Sequence, residues 1–206
     1  MNLTIANYCQ IKDNTLSING KSVFVHSESE TAQDFLTYIY REAKVNYPKF
    51  FKMDNLSRTG FLAAELLLRQ TSIYEVDLKL KTGIFFSNRA SSLETDEAYQ
   101  KTIGEEYFPS PSLFVYTLPN IVMGEIAIKH KLFGENTFLV SETFDCQLIY
   151  DYVNQCFEET DMQNAIVGWV DFYQQKGDAF LMFVEKQKEY SESIFTVEEI
   201  TKLYKS

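Results

Sequence analysis

Apolar and polar residues alternate along several stretches of the chain with the period of two that is typical of β-strands. Such strands are predicted at residues 3–10, 78–87, 137–141, 165–173 and 178–186. Residues 16–25 add a hairpin or excursion to the first strand, because the turn formers Asn14 and Asn19-Gly20 precede and interrupt them. A short turn at 174–177 separates the last two strands, which predicts an antiparallel hairpin.

Other stretches place apolar residues three to four positions apart, as amphipathic α-helices do. Helices are predicted at residues 31–47, 53–70, 96–103, 113–131, 144–158 and 196–205. Asp54 or Ser57 is expected to cap the second helix, which has the broadest apolar face. Pro119 is expected to kink the fourth helix or to begin its main segment. Thr196 and Glu199 predict a capping box for the last helix.

The predicted order of elements is β-α-β-α-β-α-β-β with extra helices. This order predicts an α/β fold, in which helices cover a mixed, mainly parallel sheet. We expect one domain over residues 1–206, with its core at about 1–186 and a C-terminal helix at about 196–205.

The stretch 136–146 contains the feature of most chemical interest, an apolar strand that runs into a short polar turn and then into a helix. Such a turn lifts one side chain to the positive end of the helix, where a nucleophile and an oxyanion are stabilised. The residue at that position is Phe144.

Composition and charge exclude several classes of function. The 206 residues are 45% hydrophobic and have a net charge of -10, and no cluster of Lys and Arg is present to neutralise phosphates, so nucleic acid is not expected as a partner. The N-terminus does not resemble a signal peptide, and no apolar run reaches the roughly 20 residues that span a bilayer, so no membrane association is expected. The three cysteines are widely spaced, which favours reduced thiols in a cytoplasmic protein over a disulfide framework.

Several stretches resemble motifs of the β-ketoacyl-ACP synthases, which have the thiolase-like fold. Met53-Asp54-Asn55-Leu56-Ser57 is similar to that family's Met-Asp-Arg-…-Ser helix start. Residues 83–95 are similar to its Gly-rich strand and loop, and residues 118–136 to its "His-Gly-…-Gly-Pro-Asn" segment. Residues 165–171 are similar to its "Gly-Gly-…-Asp" strand, and residues 177–185 to its "Gly-Ala-…-Leu-Val-Leu-Glu" strand. Their order and spacing imply an N-terminal-half-like protein with the βαβαβαββ order of one thiolase-like half.

The resemblance implies that no catalytic nucleophile is present. The family's Ser-Ser-Ala-Cys-Ala motif aligns with residues 141–145, which places Phe144 at the position of the acyl-accepting cysteine. A phenyl ring has no lone pair with which to attack a thioester. Cys146 is a weak substitute, because two residues further along a helix it is rotated by about 200°.

The second half of a full synthase, with its two active-site histidines and a lysine, has no counterpart in this sequence. His26 matches no motif, and His130 matches a non-catalytic histidine, for which a surface position at a helix end is expected. The acidic clusters lack a histidine at metal-ligand spacing. We therefore expect no metal and no cofactor.

The resemblance also implies a dimer edge. In the family, the equivalent strand pairs antiparallel with its mate across a two-fold axis, and here this strand consists of Thr137, Phe138, Leu139, Val140 and Ser141. Surfaces that would pack on a second half need a cover, either a partner or the C-terminal helix.

Three interpretations follow. The first is a catalytically inactive, ketosynthase-like protein that assists fatty-acid, polyketide or aryl-polyene-type biosynthesis, as a homodimer or heterodimer, with an acyl carrier protein and a complete ketosynthase as partners. The second is a half-enzyme with 3-oxoacyl-ACP synthase activity, completed in trans by a chain that carries the C-terminal half. The third is an unrelated α/β domain that binds a small ligand.

Overall fold

The computed structural model describes residues 2–25, 31–71, 79–104, 108–186 and 193–206. Within these ranges, seven strands form one sheet in the order β3-β2-β1-β7-β6-β4-β5. The strands are β1 (Leu3–Lys12), β2 (Thr15–Ile18), β3 (Lys21–Val25), β4 (Thr82–Asn88), β5 (Asn136–Val140), β6 (Asn164–Tyr173) and β7 (Lys176–Lys186). The described helices are α1 (Ala32–Glu42), α2 (Asn55–Leu68), α3 (Leu93–Gln100), α4 (Pro111–Phe114), α5 (Ile121–His130), α6 (Cys146–Glu159) and α7 (Val197–Lys205), and a 3₁₀ helix spans Pro48–Lys52.

The predicted α/β class with a mixed sheet is confirmed, but parallel pairs are fewer than expected. Strand β4 pairs in parallel with β5 and β6, whereas the other four pairings are antiparallel. The reason is that β2 and β3 extend β1 through hairpins. In addition, β7 lies between β1 and β6 and is antiparallel to both.

Tight turns connect the hairpins as the sequence predicts. Asp13-Asn14 and Asn19-Gly20 have positive φ at both positions, as the two-residue turns that match strand twist require. Gln174 and Gln175 adopt the same left-handed conformation between β6 and β7, although neither is a residue that favours it.

Helices cover both faces of the sheet. Helices α1, α2 and α5 lie on what we call the first face, and their apolar residues form one core with alternate residues of the strands. Helices α6 and α7 lie on the second face, where Ile149, Val153, Ile200 and Leu203 belong to a second core. Twelve of the fourteen residues of α2 are buried, which makes it the central helix of the first face.

Helix α1 and the segment 113–131 differ from the predicted helices. Helix α1 ends at Glu42, because Lys44 has a φ of 50° and stops it before the expected Asn46 and Pro48. The segment 113–131 is divided between α4 and α5, and Pro119 lies in the connection between them. The N-termini of two other helices are capped as predicted, α2 by Asp54 and α7 by Thr196.

The described helices include none that combines the length and the apolar character needed to cross a membrane.

Candidate functional site

The predicted site lies at the carboxyl ends of β4 and β5, where two connections meet. The side chain of Asn88 closes the connection after β4 by accepting a hydrogen bond from Ser91 N (3.0 Å) and donating one to Ser91 O (2.8 Å). Ser141 N, at the end of β5, donates to Asn88 O over 2.9 Å. Two adjacent parallel strands therefore hold the start of the β5–α6 connection in place.

Helix α6 begins at Cys146, two residues later than predicted. Asp145 is its N-cap, because the backbone of Asp145 is extended and its carboxylate accepts a hydrogen bond from Leu148 N at 2.9 Å. Phe144 consequently lies before the helix. Because Phe144 is not part of the helix, the expected helical rotation of about 200° between Phe144 and Cys146 does not apply.

The side chain of Phe144 is enclosed by aromatic rings. It is 8% exposed. Its ring centroid lies 6.0 Å from that of Trp169, 6.0 Å from that of Phe180 and 5.0 Å from that of Tyr204. These distances are typical of favourable aromatic pairs, so Phe144 joins the second core instead of lining an open pocket.

Cys146 is partly buried at the first position of α6. Its Sγ lies 3.8 Å from the carbonyl oxygen of Phe144, and no described histidine accompanies it. A nucleophilic thiol has to be deprotonated, and the described contacts of Cys146 include no base that could take its proton. All three cysteines are free, and burial raises the pKa of the Cys9 thiol to about 12.

Tyr204 of α7 is the part of this site that the sequence did not identify. Its hydroxyl donates to Asp178 Oδ2 on β7 over 3.1 Å, and Gln10 Nε2 donates to its carbonyl oxygen over 3.4 Å. Burial raises the pKa of both Tyr204 and Asp178, and the charge of Asp178 raises that of Tyr204 further. At neutral pH the hydroxyl of Tyr204 is therefore protonated, and its hydrogen bond to Asp178 holds α7 in position next to Phe144. A protonated hydroxyl is unsuited to act as a base.

A polar side chain lies buried on the same face. Ser87 of β4 is aligned with Trp169 of β6, and its hydroxyl has no hydrogen-bond partner among the described residues. Without a neighbouring base this hydroxyl is not an activated nucleophile.

The side chain of His130 is only 9% exposed, in contrast to the expected surface position. Its Nε2 lies 3.2 Å from Glu65 Oε2, and Arg69 Nη2 lies 2.9 Å from Glu65 Oε1. Burial alone would raise the pKa of Glu65, but His130 and Arg69 outweigh burial and lower this pKa to about 2. These residues join α2 and α5 on the first face, so His130 lies across the sheet from Phe144. His26 lies outside the described residues.

Acidic, cysteine and histidine side chains do not converge into a metal site anywhere in the described ranges.

Strand β5 forms one edge of the sheet. It pairs with β4 only, so no strand among the described residues pairs with its outer edge. Phe138 packs against the first core and Leu139 against the second, while the hydroxyls of Thr137 and Tyr152 of α6 lie 2.9 Å apart. Val140 is 58% exposed at the end of the strand. Ser141 follows β5 instead of belonging to it. We call this strand and its free backbone groups the β5 edge.

A second exposed surface adjoins the loop that follows β4. Phe108, Phe114, Val115 and Leu118 all expose at least half of their side chains. Ser92 Oγ donates to Thr117 O, which ties this segment to the start of α3. We call it the 108–118 surface. Exposed apolar side chains that form a contiguous patch usually mark a contact with another protein.

No protein-family model and no curated protein sequence matches this sequence. Solved ketosynthase structures nevertheless have the same fold. The ishigamide ketosynthase/chain length factor matches with a TM-score of 0.67 and 14% identity, over 94% of this chain and 64% of that chain. AntDE:AntF, a type II acyl-carrier protein in complex with its ketosynthase, matches with a TM-score of 0.66 and 11% identity, over 91% of this chain and 63% of that chain.

A third structure is matched over nearly the whole of its chain. It is the complex of the ketosynthase ApeO with its chain length factor ApeC from Xenorhabdus doucetiae. The match covers 100% of this chain and 91% of that chain, with a TM-score of 0.56 and 11% identity. This chain spans slightly less than two thirds of the length of the first two matched chains. The chain has the thiolase-like fold of the ketosynthases, as predicted, and the interpretation as an unrelated α/β fold is wrong.

Proposed function

We propose that this protein is a catalytically inactive, ketosynthase-like subunit that pairs with a complete ketosynthase in fatty-acid, polyketide or aryl-polyene-type biosynthesis. The observation that carries the proposal is the enclosure of Phe144 by Trp169, Phe180 and Tyr204. In the proposed alignment this is the position of the nucleophilic cysteine. Phe144 has no nucleophilic atom, and the rings around it leave little room for an acyl group.

The β5 edge supports the pairing part of the proposal. Unpaired strand edges attract further strands, and soluble proteins usually protect them with charge, proline or a covering element. The sequence of β5, Asn-Thr-Phe-Leu-Val, contains neither a charged residue nor a proline. A partner strand would satisfy its outer backbone groups, and the 108–118 surface would add apolar area to the contact.

The fold comparisons support a role beside a ketosynthase. The chain is about as long as the matched chain of a complex between a ketosynthase and its chain length factor. We therefore propose a heterodimer in which this chain occupies the position of the chain length factor. An acyl carrier protein would then deliver substrate to the active site of the other subunit.

The half-enzyme completed in trans has less support. A docking second half would need a large apolar surface, but α1, α2 and α5 already cover the first face and α6 and α7 the second. The outer positions of α6 that are exposed are mostly polar and include Gln147, Asp151, Gln155 and Glu158.

Co-expression with a complete ketosynthase encoded beside this protein tests the proposal. We expect one stable complex by size-exclusion chromatography with light scattering. Val140→Lys should weaken it, because Val140 ends the β5 edge and a lysine there blocks strand pairing. Val25→Lys is the matched control, since Val25 is 62% exposed and ends β3, the strand at the opposite edge of the sheet.

Equal weakening by the two variants would contradict an interface at the β5 edge. Condensation of malonyl- and acyl-carrier protein by the purified chain alone would contradict the inactive role. Co-purification with a separate chain that carries the two histidines and the lysine would favour the half-enzyme instead.

A further inference from the structure

A cleft of about 580 Å³ opens on the first face, at the carboxyl ends of β1 and β6. Strands β1, β4, β5 and β6 all run in the same direction, because β7 is antiparallel to both β1 and β6. Ligands of open α/β sheets bind at the carboxyl ends of such strands. This cleft is distinct from the Phe144 region, which lies on the second face, and it has no part in the proposed pairing.

The floor of the cleft is apolar. Ile11, Phe35, Leu36 and Phe172 line it, and each is at most 3% exposed. Gly177 keeps the space above Phe172 open, since a Cβ at Gly177 would lie 3.2 Å from the phenyl ring. The volume lies within the range of about 300–1,000 Å³ that is usual for small-molecule sites.

The rim of the cleft is polar and carries one lysine. Lys176, the first residue of β7, lines the opening, and in the described part of the chain no carboxylate forms an ion pair with it. Ala32, in the first turn of α1, lies on the same rim. Asp13 is the one carboxylate among the described residues that line the cleft.

We propose that this cleft binds a monocarboxylate with an apolar aliphatic or aromatic body. The apolar body lies over Phe35, Leu36 and Phe172, and the carboxylate faces Lys176. Asp13 limits the ligand to a single negative charge, because a second charge on the head group would be repelled at the same rim. The proposal is independent of the proposed pairing with a ketosynthase.

Titration calorimetry with decanoate, 1-decanol and decyl phosphate at neutral pH tests this inference on the intact chain. We expect saturable binding of decanoate and weaker binding of both other probes. The alcohol lacks the charge that Lys176 attracts, and the phosphate carries the additional charge that Asp13 repels. Equal affinity for decanol and decanoate, or no saturable binding of decanoate, would overturn the proposal.

Two variants locate the site. Lys176→Glu should weaken decanoate binding by about fivefold, the order expected for a contact between exposed charges. Lys101→Glu is its control, because Lys101 is an exposed lysine at the end of α3. Ala32→Trp should fill the cleft and abolish binding. If both lysine variants have the same effect, or if Ala32→Trp binds decanoate normally while folded, the ligand does not occupy this cleft.

Discussion

Replacement of Phe144 provides a direct test of whether this residue is a structural substitute for a nucleophile. Phe144 is 8% exposed and contacts three aromatic rings, so Phe144→Ala removes a nearly complete core side chain. Truncation of a buried phenylalanine costs about 3–5 kcal/mol. We expect a value near the lower end, about 3 kcal/mol, because Phe144 lies in a connection that can partly collapse into the cavity.

Urea unfolding followed by tryptophan fluorescence measures this loss, since Trp169 is the only tryptophan and packs on Phe144. Phe133→Ala is the matched control. Phe133 is 70% exposed, and its truncation should change the free energy of unfolding by no more than about 0.5 kcal/mol. If the two variants lose the same free energy, the enclosure of Phe144 does not stabilise the fold.

The same position tests the chemistry. Phe144→Cys restores the residue type expected of the family, yet we expect no acyl adduct by mass spectrometry after incubation with an acyl thioester. The reason is that the surrounding rings bury the thiol and no described base is available to deprotonate it. Rapid acylation of this variant would refute the interpretation of the site as closed and unassisted.

Three further predictions concern stability. Gly168→Ala should cost more than about 3 kcal/mol in urea unfolding, because its Cβ would lie against the carbonyl oxygen of Phe180 in the paired strand. Gly124→Ala, in an open helical position, should instead stabilise by about 0.5–1 kcal/mol. A similar cost for both variants would contradict the close pairing of β6 with β7. Glu65 has a lowered pKa, so its contribution to stability is present above its unfolded pKa and is lost as the pH falls towards about 2. Glu65→Gln should remove that part of the acid dependence in pH-dependent unfolding, and an unchanged profile would show that the ion pair is absent. Thr196→Ala should cost about 1 kcal/mol and increase hydrogen exchange in α7, and exchange that is unchanged in α7 would contradict the capping contact.

Local features of the fold could be predicted from the sequence because they depend on neighbouring residues. Asn19-Gly20 produces its turn through backbone preferences of those two residues, and Asp54 caps α2 through a hydrogen bond to Ser57 N, three positions away. The periodicity of apolar residues likewise placed strands and helices in the correct order. These signals extend over a few residues and do not require knowledge of the tertiary structure.

Helix boundaries and the relative directions of the strands were harder to predict from the sequence. The start of α6 depends on the extended backbone of Asp145, which competes with the helical pattern that begins at Phe144. The number of antiparallel pairs depends on the position of β7 between β1 and β6, and no residue pattern within β7 encodes which strands lie beside it.

For the candidate site, the sequence by itself determined that Phe144 follows an apolar strand and that Thr137–Val140 form a strand free of charge and proline. Only the tertiary structure decided what surrounds Phe144, because Trp169, Phe180 and Tyr204 are distant in sequence and meet it through the packing of β6, β7 and α7. The same holds for His130, whose burial against Glu65 depends on the contact of α5 with α2. Side-chain chemistry is fixed by the residue type, whereas enclosure and charge environment are fixed by residues that only folding brings together.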